Sequence, residues 1–201
     1  MESKTRILDA AEEAFAEAGL AGARVASIAK SAGVNKAMLY YYFGSKEELY
    51  VAVLERVFTQ IIEMGDAALN TEDAGIDNVD AFLEGYRQIV WSRPQLPRLI
   101  MRELLNGGQF VKQVMGPRIA KLAPRLAEAM TKGQADGLIN PNVHPVLVAP
   151  AMLSPFILFA FIKPVMASII GLDPEYLTDQ YRRTAREIVL HGLQARPGEE
   201  S

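Results

Sequence analysis

Cysteine is absent from the 201 residues. That excludes a disulfide scaffold, a thiol nucleophile and any thiolate metal site. Histidine is nearly absent. His144 and His191 stand far apart and form no HExxH-like pair, so a zinc site would need carboxylates to complete it, and no metal is expected. The phosphate-cradling patterns GxxxxGK and GxGxxG are missing, as is a nucleophile–base pair, so neither an enzyme nor a cofactor is indicated. The start, MESKTRILDAAEEAF, carries acids early and lacks the apolar core of a signal peptide, which reads as a cytoplasmic protein. No segment alternates apolar and polar residues long enough to suggest a sheet, and no internal repeat or low-complexity tract occurs. What is present is ample for a buried core: half the residues are hydrophobic and 22% are charged.

Net charge is −3 and the isoelectric point about 5.5, which argues against a general polyanion binder. The distribution differs from the total. Between Glu17 and Glu47 there is no acid, while Arg24, Lys30, Lys36 and Lys46 all lie there. Residues 1–46 are net +1 and residues 47–201 net −4. A nucleic-acid footprint needs local sign asymmetry of this kind, because only the touching face meets phosphate.

The chain reads as helical throughout. A first helix spans Ser3 to Ala18, with Ile7, Ala11, Ala14, Phe15 and Ala18 on one face and Glu12, Glu13 and Glu17 on the other. Gly19 ends it. A second helix fits Val25 to Ala32. Gly33 follows, then Asn35, an N-cap residue whose side chain accepts a bond from a free N–H one turn in. A third helix therefore runs from Lys36 to Phe43. Gly44 breaks it, and Ser45 with Glu48 forms a capping box that opens a fourth helix over 46–70.

Two short helices joined by a turn on Gly33 make a helix-turn-helix, whose second helix reads the major groove. In Lys36-Ala37-Met38-Leu39-Tyr40-Tyr41-Tyr42-Phe43, Leu39 and Phe43 are four apart and pack inward. Lys36 can donate to guanine O6 and N7, Ala37 and Met38 can touch a thymine methyl, and tyrosine hydroxyls and Lys46 can reach phosphates. Three consecutive tyrosines cannot all face inward on a helix.

The run from Thr5 to Val57 resembles the N-terminal DNA-binding domain of the TetR family of transcriptional regulators. The matching pieces are Ile7-Leu8-x-Ala10-Ala11-x3-Phe15, Gly19, Ile28-Ala29, Ala32-Gly33-Val34, Leu39-Tyr40-x2-Phe43 and Ser45-Lys46-Glu47-x-Leu49. The resemblance implies an all-α homodimer that binds palindromic double-stranded operator DNA, most simply a repressor. It divides the chain into a helix-turn-helix domain at 1–46, an effector-binding and dimerisation domain at 47–195 and a tail at 196–201, with about nine helices. The DNA-facing set is then Arg24, Ser27, Asn35, Lys36, Ala37, Met38, Tyr40, Tyr41, Tyr42 and Lys46. Two positions depart from the family pattern. Arg24 stands where a threonine often caps the second helix, and arginine has no acceptor to cap with. Tyr42 stands where histidine is frequent, keeping a hydroxyl but no proton to gain near neutral pH.

Beyond residue 70, Asn70–Asn78 reads as a loop and Val79–Ser92 as a fifth helix. Pro94 or Pro97 opens a sixth, ending at Gly107-Gly108. A seventh carries Phe110 to Met130, kinked or divided by Pro117 and Pro124. Gly133–Val143 reads as a turn. Pro145–Gly171 is the most apolar stretch. It is long enough to suggest a membrane span, but Lys163 and four prolines argue against one, so burial by core and partner is expected instead. Pro150, Pro155 and Pro164 should bend or split that helix, with Ser154-Pro155 a possible fresh start. A last helix opens at Asp173-Pro174-Glu175 with Leu177, Tyr181, Ala185, Ile188 and Leu193 on its apolar stripe. The resemblance implies that the last two helices form the dimer contact. It also implies a pocket for a small, largely apolar effector. Its candidate lining is Phe82, Tyr86, Trp91, Met101, Leu105, Phe110, Met115, Met152, Phe156 and Phe159, with ordinary core packing the alternative for each. The competing function is a helical enzyme or lipid carrier that keeps the N-terminal module only as structure.

Overall fold

Nine helices, and no strand, form among the described residues, 2–69 and 76–194 of the computed structural model. They are α1 (Glu2–Gly22), α2 (Val25–Ser31), α3 (Lys36–Phe43), α4 (Lys46–Leu69), α5 (Ile76–Ser92), α6 (Gln95–Leu105), α7 (Gln109–Ala135), α8 (Val148–Ile170) and α9 (Pro174–Leu193). The expected loop at Asn70–Asn78 falls mainly outside the described residues, as does the tail at 196–201. Residues 76–78 belong to α5.

The chain divides into two compact units, Met1–Ile61 with Arg93–Arg118, and Ile62–Ser92 with Ile119–Ser201. The division does not follow residue 46, because α6 packs along α1 and joins the N-terminal helices. Ile7, Ala11 and Phe15 of α1, Ile28 of α2, Leu39 of α3, Leu49, Val53, Leu54 and Val57 of α4, and Leu96 and Leu99 of α6 are all buried in the first unit. Tyr50 closes this core, edge-on to Phe15 and Phe110, and its hydroxyl donates to the buried Glu103 at 3.0 Å. Glu103 also accepts from the Phe110 N–H in the first turn of α7. Burial, followed by the charge and hydrogen bond of Glu103, holds the Tyr50 proton above the usual phenol range.

Glu12 departs from its expected outward place. It is 1% exposed, paired with Arg56 of α4 and accepting from Gln95 of α6 at 3.1 Å, with Arg93 at 3.9 Å. A buried carboxylate is tolerated where guanidinium groups surround it. Gly19 takes φ 69°, and a Cβ there would stand 2.9 Å from Arg102 Cδ. That glycine lets Arg102 reach the Glu17 carbonyl at 2.8 Å, so α1 breaks there and adds one short turn to Gly22.

In the second unit, α5, α8 and α9 pack together through Leu83, Tyr86, Val90, Val148, Met152, Phe156, Phe159 and Leu177. Arg186 of α9 grips Asp80 of α5 with two hydrogen bonds, at 2.7 and 2.8 Å. The proline expectations need correction. Both α7 and α8 are continuous helices, with Pro155 and Pro164 inside α8. Pro150 sits in the first turn, where its missing N–H is not needed. Ser154 does not start a new helix. Its hydroxyl donates back to the Pro150 carbonyl at 2.8 Å. Ile188, expected on the apolar stripe of α9, is 68% exposed.

Candidate nucleic-acid interface

The turn at Gly33 takes φ 64°, a conformation glycine adopts without strain, and it lets α2 and α3 meet at an angle. Asn35 accepts from the Met38 N–H at 2.7 Å, fixing the first turn of α3. Leu39 and Phe43 hold α3 down from beneath. The opposite face is left open: Asn35, Lys36, Ala37, Met38, Tyr40 and Tyr42 are exposed, and Tyr41 is 84% exposed against the edge of Tyr42. Arg24 and Ser27 of the flanking α2 region are exposed as well, and Arg24 forms no side-chain cap, as its chemistry requires. The face carries donors and two apolar groups, Ala37 and Met38, and no carboxylate within α2 or α3.

Lys46 is placed with more detail than its sequence context suggested. Its Nζ donates to the carbonyls of Ala23 at 3.1 Å and Ala21 at 3.4 Å, the electronegative end of α1. Ser45 accepts from the Glu48 N–H at 3.0 Å, the half of the capping box that opens α4. Sequence reasoning missed Lys4, whose ammonium sits 5.7 Å above the Phe43 ring at the end of the reading helix. Only a tertiary contact between α1 and α3 shows it.

The expected effector-lining residues divide between the two units. Tyr86, Trp91, Phe156 and Phe159 meet in the second unit, with Phe82 stacked on Tyr86 and Met152 buried in the same unit. Tyr181 of α9 joins them, which sequence reasoning placed only on an apolar stripe. Met101, Leu105, Phe110 and Met115 belong to the first unit. Leu105 is 81% exposed and is not a lining residue, and Phe110 is spent on Tyr50. An open cleft of about 750 Å³ lies elsewhere in the first unit, bordered by Arg6, Asp9, Glu13, Ser31, Gln95 and Arg98. None of the expected lining residues borders it, and its mixed charges suit no apolar guest. Among the described residues no three His, Asp or Glu side chains converge to hold a metal ion.

The family model for bacterial regulatory proteins of the tetR family matches residues 7–53. The transcriptional repressor SCO4008 of Streptomyces coelicolor is 31% identical over 196 residues, covering 93% of this chain and 95% of its own. The transcriptional regulator RutR of Escherichia coli K12 is 28% identical over 200 residues, covering 96% and 91%. A solved chain assigned as the transcriptional regulator SCO4942 of Streptomyces coelicolor superposes with a TM-score of 0.71 at 30% identity, covering 95% of this chain and 98% of that one.

Proposed function

The chain belongs to the tetR family of bacterial regulatory proteins, and from that premise we propose that it is a homodimeric repressor that reads a palindromic operator with α3 and is released by a small, largely apolar effector. The observation that carries the DNA reading is the open face of α3, pinned from beneath by Leu39 and Phe43 inside a stretch without acids. Lys36 donates to guanine, Ala37 and Met38 meet thymine methyls, and Arg24, Ser27, Tyr40, Tyr41, Tyr42 and Lys46 hold the phosphate backbone. The work is done in the cytoplasm, where the DNA is.

A second copy is the partner for α8. This helix is apolar and long enough to span a membrane by length and composition. Phe161, Ile162, Val165, Met166, Ile169 and Ile170 nevertheless lie exposed along its second half. With Tyr176 and Ile188 of α9 also exposed, a twofold contact through α8 and α9 would remove that surface from water. The effector binds within the second unit and favours a conformation whose reading helices misfit the operator. Its action is a difference in affinity between two states.

Selection from random duplexes tests the reading directly. The enriched sequence is expected to be a palindrome, with half-site centres about 10 bp or somewhat more apart. Gel shifts that show no preference for the enriched duplex over scrambled DNA would favour the rival reading, an α-helical carrier or enzyme with a purely structural N-terminal module.

A further inference from the structure

The effector reading leaves the chemistry of the ligand open, and the aromatic cluster of the second unit narrows it. Phe156 lies 6.0 Å from Tyr86 and 5.8 Å from Tyr181, both edge-on, so the two phenols flank one ring. Tyr181 lies flat on Phe159, with centroids 3.8 Å apart and planes 6° apart. Phe159 is buried while Tyr181 is half-buried. The cluster thus already contains a stacking platform, occupied by a ring on its more exposed side.

The polar groups of the cluster are unusual. Tyr86 is only 5% exposed, yet its hydroxyl forms no hydrogen bond with any described residue, and neither does that of Tyr181. Burial alone raises both phenols above their ordinary range, with no protein acceptor contributing. A buried hydroxyl without a partner gives up its hydration for nothing unless a guest supplies an acceptor.

The surrounding charges speak to the sign of that guest. Glu84 is held by Arg87 and Gln88, and the Arg87 hydrogen bond keeps its carboxyl below the usual carboxylate range. Asp80 is gripped by Arg186, and Asp179 has Arg182 at 3.8 Å. The Trp91 face, the best cation platform in such a cluster, already carries the Arg87 guanidinium 4.9 Å from its centroid. A cationic guest would meet guanidinium groups rather than an uncommitted carboxylate.

Resting on the effector reading above, we propose that the cluster of Tyr86, Trp91, Phe156, Phe159 and Tyr181 binds a neutral, planar ring compound that carries a hydrogen-bond acceptor. Its ring takes the place of Tyr181 on Phe159, and its acceptor takes the Tyr86 hydroxyl proton in a hydrogen bond.

Trp91 is the only tryptophan, so it reports on the site in the full-length protein. Its fluorescence is titrated with coumarin, which is neutral and has an acceptor, with naphthalene, which lacks one, and with the cation N-methylquinolinium. Operator affinity is measured in the same samples. Coumarin is expected to quench saturably and to bind about fivefold more tightly than naphthalene, the worth of one hydrogen bond. Tyr86→Phe should shrink that advantage below about twofold without lowering the melting temperature. Phe159→Leu should weaken coumarin and naphthalene alike, by loss of the platform. The proposal is overturned by absent or non-saturable quenching with coumarin, by equal affinity for naphthalene, by preference for the cation, or by a preference that survives Tyr86→Phe. Coumarin bound as expected but with operator affinity unchanged sinks the effector reading and leaves the site standing. Operator release by compounds indifferent to both variants keeps the effector reading and sinks the site.

Discussion

Lys46 joins two roles in one side chain. Its ammonium is anchored by two carbonyls at the end of α1, and an ammonium has three N–H donors, so one remains for a phosphate. Lys46→Ala should therefore lower the melting temperature and flatten the salt dependence of operator binding by about one unit of log–log slope. Lys36, exposed at the start of α3, has no such structural duty. Lys36→Ala should keep the melting temperature and relax base preference at one position per half-site, costing ~1–3 kcal/mol there. Thermal melts beside gel shifts at several salt concentrations separate the two, and equal losses on all sequences for both variants would remove Lys36 as a base reader. Glu12 makes a further residue-scale prediction. Breaking a buried ion pair from one side costs about 3–5 kcal/mol, and Arg56 retains water and Asp9 at 2.6 Å, so Glu12→Ala should cost nearer ~2–3 kcal/mol in urea unfolding. Exposed Glu13→Ala should cost under ~0.5 kcal/mol, and similar values for the two would show the Glu12 pair to be inert. Asn35 was legible from sequence because a cap is a local event, settled within three residues. Glu12 was not, since its partner Arg56 is 44 residues away and a carboxylate on a helix reads as its solvent side.

At the scale of elements, helix starts were legible where side chains mark them. Asp173 accepts from the N–H groups of Glu175 and Tyr176 ahead of α9, as Asp-Pro-Glu predicts. Proline in α7 and α8 was the poor guide. It forbids one hydrogen bond and crowds one carbonyl, and packing along the rest of a long helix outweighs that cost. The open apolar half of α8 was visible in outline, because one helix cannot hide a run like PFILFAFIKPVMASII against its own unit. Its test uses the two most open valine and isoleucine positions of that half, Val165 at 58% and Ile169 at 76% exposure. Val165→Glu with Ile169→Glu should convert the dimer to monomers by placing like charges across the twofold axis. Because neither side chain is in the core, helicity and melting of the isolated monomer should stay near those of the parent. Light scattering after size exclusion reads the mass, and an unchanged dimer would move the interface away from α8.

At the scale of the whole molecule, membership of the two compact units is the least local property, and the sequence boundary at 46 missed it. Arg102 and Glu103 are neighbours on α6, yet one ties to the α1 backbone at Glu17 and the other to Tyr50 of α4 and the start of α7. No spacing pattern announces such ties, because each partner lies tens of residues away. Function at this scale is a coupling between two ligands, and thermodynamics constrains it more tightly than structure does. If a bound compound lowers operator affinity by some factor, operator must lower affinity for that compound by the same factor, in the range of about 5–150-fold for couplings of this class. The single tryptophan makes the second half of the cycle measurable. Fluorescence titration of the compound is run on free protein and on protein saturated with operator duplex, and gel shifts with and without saturating compound supply the first half. Equal factors are the expected result. A compound that releases DNA while its own affinity ignores the operator would be acting on the duplex or unfolding the protein, and the regulator would then lack an effector of that kind.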